Sequence, residues 1–597
     1  MRVRLCTVLL TTATALGTLT ASFGPSYAAN DFTGDGEVAH SLLGSYLAAN
    51  LAKIENDPDS ATAFYRSALS LDPGNEVILE QAFQMEASEA HWDRAVPLAK
   101  ELVGKDANNR MAHLLLGLSS FKSGDYTKAD QEFQAASDGP IGELTSALAR
   151  AWAALAAGDA QRALKLLDMP KQAEWAQFYL NYHKALIADV AGLHKEAGTS
   201  FEHSARQDSN TLRIALAYAR HAASEGNKKL AKEILDKQTD GGQAEPHVLV
   251  RELRDEVDTA AKIPLLVTTP SEGMAEVFYG LGEALTSEGG LSMGILYLQF
   301  ALYAKPDHAF ALAALANAYE SGRRYQDAIN AYDRIPPGSA LQQAIDIRKA
   351  FDLNSLDKVD EAKVILDKLV TAYPTDLKPL DALGNILRAR KRYAEAADTY
   401  TQALKLVPNP DKRHWSIFYS RGTCYERLKN WPGAEADLQK ALQLFPDQPL
   451  ALNYLGYSWV DQNRNLKQGM ALIEKAVALK PDDGYIVDSL GWAHFKLGNY
   501  AESVRFLERA VELKPEDPVL NDHLGDALWR VGREREARFQ WDQALTLDPE
   551  PDEVEKIKKK LAEGMPPNAE NRTARETMRD MRLKKRKETK LNPARVE

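Results

Sequence analysis

The sequence predicts an all-α solenoid of about fourteen helix–turn–helix units, and three observations carry that prediction. A small residue returns every 34 positions at Ala61, Ala95, Ala129, Ala163, Ala197 and Ala231, then at Gly294, Ala328, Ala362 and Ala396. With slightly longer turns it continues at Ala434, Gly469, Ser503 and Ala537. A large residue often follows four places later: Tyr65, Phe133, Phe201, Tyr332, Tyr400 and Trp541. Prolines close the units at Pro73, Pro306, Pro374, Pro408, Pro446, Pro481, Pro515 and Pro549. A period of this length marks stacked helix pairs, each burying its apolar face on its neighbours. Such stacking also frees a chain of 597 residues from the size limit of one compact core.

Each element of a unit has a physical reason, best seen from Gly484 to Pro515. Leu490-Gly491 falls midway along a first helix, where a small residue lets the paired backbone approach. Gly498 ends that helix, because glycine accepts the left-handed conformation required there. Tyr500 opens the second helix, and Ser503, Leu507 and Ala510 recur at helical spacing. Pro515 stops it, since it has no N–H to donate and clashes with the preceding turn. These residues resemble the tetratricopeptide repeat: a Leu-Gly pair, then an aromatic, an alanine, a second aromatic and a proline. The best matches are Leu455-Gly456, Leu490-Gly491-Trp492-Ala493-His494 and Arg421-Gly422-Thr423-Cys424-Tyr425. The resemblance covers nearly all of residues 41 to 549 and implies a superhelix whose first helices line a concave, protein-binding side.

The chain is expected to divide into a signal peptide (1–28), an N-terminal repeat block (29–246), a junction (247–273), a C-terminal repeat block (274–550), a capping helix (551–565) and a basic tail (566–597). Arg2 and Arg4, the apolar stretch Val8 to Thr20 and Ser26-Tyr27-Ala28 form the pattern of a secretory signal cleaved near Ala28. That predicts a periplasmic, exported protein. No later run is long enough to span a membrane, and Cys6 stands too early for lipid attachment. The junction appears as a skip of 63 residues between Ala231 and Gly294. It reads either as a hinge or as a decayed repeat. Its Leu265, Leu266 and Val267 are too apolar for a free linker. Asp552 to Glu563 reads as a cap with Val554, Ile557 and Leu561 on one face. The tail carries ten Lys/Arg against five Asp/Glu, a local +5 within a net charge of −11, so the remainder carries −16. Acidic repeats argue against nucleic acid as a partner, and the tail allows at most peripheral membrane contact. Cys424 is the only cysteine besides Cys6, and it is expected to be buried.

Motifs of catalysis are missing. No H-E-x-x-H, G-x-S-x-G, P-loop or Cys-x-x-Cys occurs. Asp31 to Gly36 begins like a calcium loop, but Leu42 stands where the twelfth, acidic ligand belongs. His494 and His523 lie in adjacent units without a third metal ligand. No catalytic residue, cofactor or metal is predicted, and the chain is expected not to be an enzyme. The carboxylate clamp of some repeat proteins is also missing: Asn385 matches one position, but Asp381 stands where a lysine is needed.

The expected function is binding of other proteins. The last units offer aromatics and carboxylates on their first helices: Asn453 and Tyr457, then Asp488 and Trp492, then Asp522, Asp526 and Arg530. Such a row suits an extended or helical segment carrying basic and apolar groups. Three segments, Ile335-Pro336-Pro337-Gly338-Ser339, Asp488-Ser489-Leu490-Gly491-Trp492 and Asp522-His523-Leu524-Gly525-Asp526-Ala527-Leu528-Trp529, resemble exported bacterial adaptors that partner a carboxyl-terminal processing protease. That resemblance implies a periplasmic scaffold recruiting the protease and its cell-wall hydrolase substrates. The adaptors are lipoproteins, whereas this chain has no suitable cysteine. A scaffold of a secretion or polysaccharide-assembly machine is the alternative. The sequence leaves the oligomeric state open.

Overall fold

A computed structural model describes residues 41–169, 172–207, 211–238 and 246–566. The predicted signal segment, the Gly241-Gly242 break and all but the first residue of the basic tail lie outside them. Among the described residues the chain forms thirty α-helices, one short 3₁₀ turn and no strand. The helices follow one another as antiparallel pairs, the solenoid that the period predicts.

The packing logic of the period holds at the level of side chains. Ala61, Ala95, Ala129, Ala163, Ala197 and Ala231 are fully buried between paired helices, as are Ala328, Ala362, Ala396, Ala434 and Ala537. The large residues four places on are buried as well, from Tyr65 and Phe133 to Tyr400 and Trp541. Cys424 is buried, and burial pushes its thiol up to about 11. Asn75, Asn109, Asp376, Asp483 and Asp517 cap first helices by accepting hydrogen bonds from backbone N–H groups.

The turn inside each pair places a residue in the left-handed region, joined in one turn by Asn465, and these residues repeat the period. They are Asn56, Ala90, Gly124, Gly158, Gly192, Gly226, Gly289, Arg323, Asp357, Lys391, Lys429, Asn463, Gly498 and Gly532. That is fourteen turns for fourteen pairs. Only half are glycine. Ala90 (φ 57°), Arg323 (φ 60°) and Lys429 (φ 61°) adopt this conformation at a cost of about 1 kcal/mol each. Packing of the two helices imposes the turn whether or not the residue favours it.

The chain separates into two compact units, Met1–Leu369 and Val370–Glu597. The junction expected at 247–273 lies inside the first of these units. The helix Val248–Thr259 occupies the place of the next first helix, packing Val250, Leu253 and Val257 with Ile263 against the helices Leu212–Ser224 and Lys228–Asp236. Among the described residues no second helix follows it before Pro270. A segment with Ile263 and Val267 buried leads instead into the pair Pro270–Ser287 and Leu291–Ala304. That pair turns back into the N-terminal unit and packs on the first helices Glu76–Ser88, Arg110–Lys122, Gly139–Ala156 and Glu174–Val190. Residues that the period assigns to a second block are therefore core of the first.

In the C-terminal unit, packing runs along the chain. First helices touch their next-but-one neighbours: Leu377–Ala389 meets Trp415–Arg427, Pro449–Asp461 meets Gly484–Lys496, and the last meets Pro518–Arg530. Second helices of successive units meet less closely than this, so first helices line the tighter, inner side. The helix Pro551–Glu563 closes the unit with Ile557 buried. No helix among the described residues is long and apolar enough to cross a membrane.

Candidate functional site: two inner faces

The inner face of the N-terminal unit is filled by the chain's own helix pair. Gly273 lies against the fully buried Trp152, and a Cβ there would meet the indole at 2.2 Å. Trp152 donates from Nε1 to His183 Nδ1 at 3.0 Å. Burial pushes His183 down to about 4, with Glu276 opposing weakly, which keeps the ring neutral as this acceptor role requires. Further along, Gln299 donates to the Ser88 carbonyl at 3.0 Å, and Thr145 Oγ1 lies 3.3 Å from the Tyr297 hydroxyl. Tyr303 packs on Trp92 with the rings tilted and centroids 4.7 Å apart, and Arg324 grips Glu89 with two hydrogen bonds of 2.9 and 2.8 Å.

One buried charge anchors the pair. Glu276 accepts from Arg213 through both Nε and Nη2, lies 2.9 Å from His308 Nε2, and meets the Tyr182 hydroxyl at 3.5 Å. Burial alone would raise its carboxyl. Arg213 and His308 outweigh burial and hold it far below the usual carboxylate range. Arg213 also stacks over Phe310, 4.2 Å from the ring centroid.

The inner face of the C-terminal unit carries no such insert among the described residues. Apart from an exposed ion pair of Lys391 with Glu550 at 3.1 Å, its contacts link helices close in the chain. Tyr419 and Tyr454 meet edge to face at 5.9 Å, and the Tyr454 hydroxyl donates to Glu426 at 3.0 Å. Tyr457 is partly exposed, with Glu426, Asp461 and Asp488 around it. Asn453 keeps its Oδ1 buried with no donor among the described residues. Trp492 is stacked between His523 (4.0 Å) and Phe495 (4.7 Å), with Lys496 above the ring at 5.6 Å. Asp488 accepts from His523 Nδ1 at 3.0 Å. Burial opposes charge on His523, but Asp488 outweighs it, with Asp522 and Asp526 adding to it, and the imidazole titrates above its ordinary value.

The structure groups the sequence-selected residues in two sets. Asn453, Tyr457, Asp488 and Trp492 line the inner face. Asp522, Asp526 and Arg530 already hold partners from the end of the chain. Lys560 of the closing helix lies 2.9 and 2.8 Å from the two Asp522 oxygens and 2.9 Å from Asp526 Oδ2, and Arg530 donates to the Pro566 carbonyl at 2.6 Å. Trp541 donates to the other Asp526 oxygen at 3.0 Å. The sequence reading overlooked Tyr419, Tyr454 and Lys560. Tyr419 and Tyr454 occupy first helices like Tyr457 and could have been found by the same spacing. The Lys560 pairing depends on how the closing helix crosses its neighbour.

Comparison with known proteins agrees with this architecture. Profiles of the tetratricopeptide repeat match residues 87–140, 382–449 and 425–484, and further ones match 311–335 and 487–517. The chain thus carries tetratricopeptide repeats on an all-helical solenoid. It is 30% identical over 198 residues to the TPR repeat-containing protein PA4667 of Pseudomonas aeruginosa, covering 33% of this chain and 32% of that one. It is 29% identical over 122 residues to the E3 ubiquitin-protein ligase CHIP of Arabidopsis thaliana, covering 20% of this chain and 42% of that one. The chain therefore spans about a third of the first relative and less than half of the second. Among solved structures, the Cut9 and Hcn1 hetero-tetramer of the APC/C aligns at TM-score 0.36 and 14% identity over 87% of this chain and 96% of that one. Yeast Tom70 aligns at 0.34 and 13% identity over 88% and 95%.

Proposed function

We propose that this chain is a non-enzymatic scaffold of the bacterial cell envelope that holds a partner protein on the inner face of its C-terminal unit. Stacked repeats of this kind serve as extended surfaces for other macromolecules. One observation carries the choice of face. The N-terminal inner face is occupied by the helices Pro270–Ser287 and Leu291–Ala304, whereas the partly exposed Tyr457 and Trp492 meet no insert among the described residues. Flat aromatics beside carboxylates are the groups expected to anchor a segment with basic and apolar side chains. The mechanism is recruitment, in which two proteins held on one scaffold meet at raised effective concentration. The resemblance of Asp488–Trp492 and Asp522–Trp529 to exported adaptors supports a carboxyl-terminal processing protease, with its cell-wall hydrolase substrates, as the recruited pair.

Cross-linking in intact cells followed by mass spectrometry tests the reading. The expected result is an envelope protease recovered with the wild-type chain and lost with Trp492→Ala and with Tyr457→Ala. Recovery unchanged in both variants, or no envelope protein recovered at all, overturns it. Recovery of an outer-membrane pore in place of the protease would move the protein to a secretion or polysaccharide-assembly machine.

A further inference from the structure

We propose that two copies of this chain associate head to head through the apolar face of the first helix, Leu42–Ile54. Leu43, Leu47, Leu51 and Ile54 lie on one side of that helix and are 65, 57, 55 and 77% exposed. Their spacing of four, four and three residues keeps them within one narrow stripe. In later units the two middle positions of this stripe, those of Leu47 and Leu51, are at least partly covered. The place of Leu47 is buried at Leu115, Ala149, His183, Ala217 and Ala382, and partly covered at Gln81, Arg348, Tyr454 and His523. The place of Leu51 holds Ala153, Ala318, Cys424, Ala493 and Ala527, also buried. The first unit has no predecessor among the described residues, yet it carries leucine at both places.

A solenoid end that faces water needs a polar outer side. The other end of this chain has one: Glu555, Lys556, Lys558 and Lys559 of the closing helix are exposed. The first helix does the opposite and presents Leu43, Leu47, Leu51 and Ile54, with Lys53 as its one charge. A contact between one end and the other would bury those charges against the leucines, which disfavours an open head-to-tail chain. A contact of the leucine stripe with its own copy has no such cost. The only charge on the helix is Lys53, so the face does not repel itself. Asn50, beside the stripe, is already satisfied, donating to the Tyr46 carbonyl and accepting from the Tyr65 hydroxyl.

The stripe is also self-complementary. Two antiparallel copies related by a two-fold axis set Leu47 against Leu51 of the other copy, and Leu43 against its Ile54. This is the isologous geometry of most homodimers. Residues 29–40 offer only Phe32 and Val38 as large apolar groups, beside Asp31, Asp35 and Glu37, too little to cover three helical turns. A single helix pair is a small interface, so the dimer should dissociate on the order of 1–10 μM.

Sedimentation equilibrium of the purified full chain across that range tests the proposal. The wild type should move from monomer to dimer, and Leu47→Glu with Leu51→Glu should weaken association at least about tenfold. The two leucines are exposed in the monomer, so circular dichroism and the melting profile should stay unchanged. As a second readout, Leu47→Cys with Leu51→Cys should give a disulfide-linked dimer on mild oxidation, with the buried Cys424 contributing none. A wild type that stays monomeric throughout, or a dimer untouched by the glutamates, overturns it. Neither outcome bears on the inner face of the C-terminal unit.

Discussion

Along the inner side of the N-terminal unit, first helices meet Phe278, Tyr297 and Phe300 of the chain's own inserted pair, all fully buried. Along that of the C-terminal unit, Tyr457 and Trp492 remain partly exposed, with no insert over them among the described residues. Both faces are built from first helices with the same Gly-and-Ala spacing. The difference teaches that a repeat motif specifies a curved wall and leaves open what fills the curve. In the first unit the filling is intramolecular, and the surface has become a core. The second unit keeps a surface, which makes it the candidate for recognition. The same contrast appears in two histidines. His183, dry and hydrogen-bonded to Trp152, is pushed down to about 4, whereas His523, beside Asp488, is pushed up.

The largest effect expected to break this contrast comes from the buried anchor. Arg213→Ala leaves Glu276 ionised with only His308 beside it. It should cost about 3–5 kcal/mol in the N-terminal unit. Calorimetry should show that unit's transition fall steeply while the C-terminal transition stays in place. Gly273→Leu drives a side chain into Trp152 and should cost about 1–3 kcal/mol on the same transition. Equal loss from both transitions would show that the inserted pair is not particular to the first unit.

Acid should separate the units next. The folded pKa of His183 lies below the ordinary 6.5, so below pH 6.5 the unfolded state binds the extra proton. Its contribution is present above pH 6.5 and is lost as pH falls toward about 4, on the order of 1–3 kcal/mol. His523 has the opposite sign. Its folded pKa lies above 6.5, so its contribution is full below pH 6.5 and is lost as pH rises through the raised value. Thermal melts of His183→Asn and His523→Gln between pH 4.5 and pH 8.5 should flatten the acid limb and the alkaline limb respectively.

Lys560→Met sharpens the contrast at the end of the second unit. Two carboxylates lose their shared ammonium, so the closing helix should loosen by about 1–2 kcal/mol. Capture of a basic partner segment should then strengthen in a pull-down, because Asp522 and Asp526 become available. The smallest effect serves as a control across both units. Ala90→Gly in the first and Lys429→Gly in the second relieve a left-handed turn, and each should add about 0.5–1 kcal/mol of stability.

Much of the wall was legible because its causes are local. The small residue every 34 positions must sit where two helices cross, whatever lies beyond them, and Cys424 was expected to be buried because it occupies such a helix. The left-handed turns at Arg323, Asp357, Lys391 and Lys429 were less visible, since charged residues there give no glycine signal. Tyr457 and Trp492 could be named from their places on first helices. That Asp522 and Asp526 already hold Lys560 could not, because the pairing spans 38 and 34 residues and depends on a crossing angle.

The sequence by itself determined an all-helical chain of stacked pairs, their number and their phase. Those features follow from contacts between residues close in the chain, where spacing alone decides which side chains meet. Only the tertiary structure decided that Pro270–Ala304 folds back into the first wall while no described helix covers the face of the second. The apolar face of a helix says that it must be buried but not against what. That choice was made by distant side chains — Trp152 against Gly273, Arg213 against Glu276 — which fit only once the wall has curved.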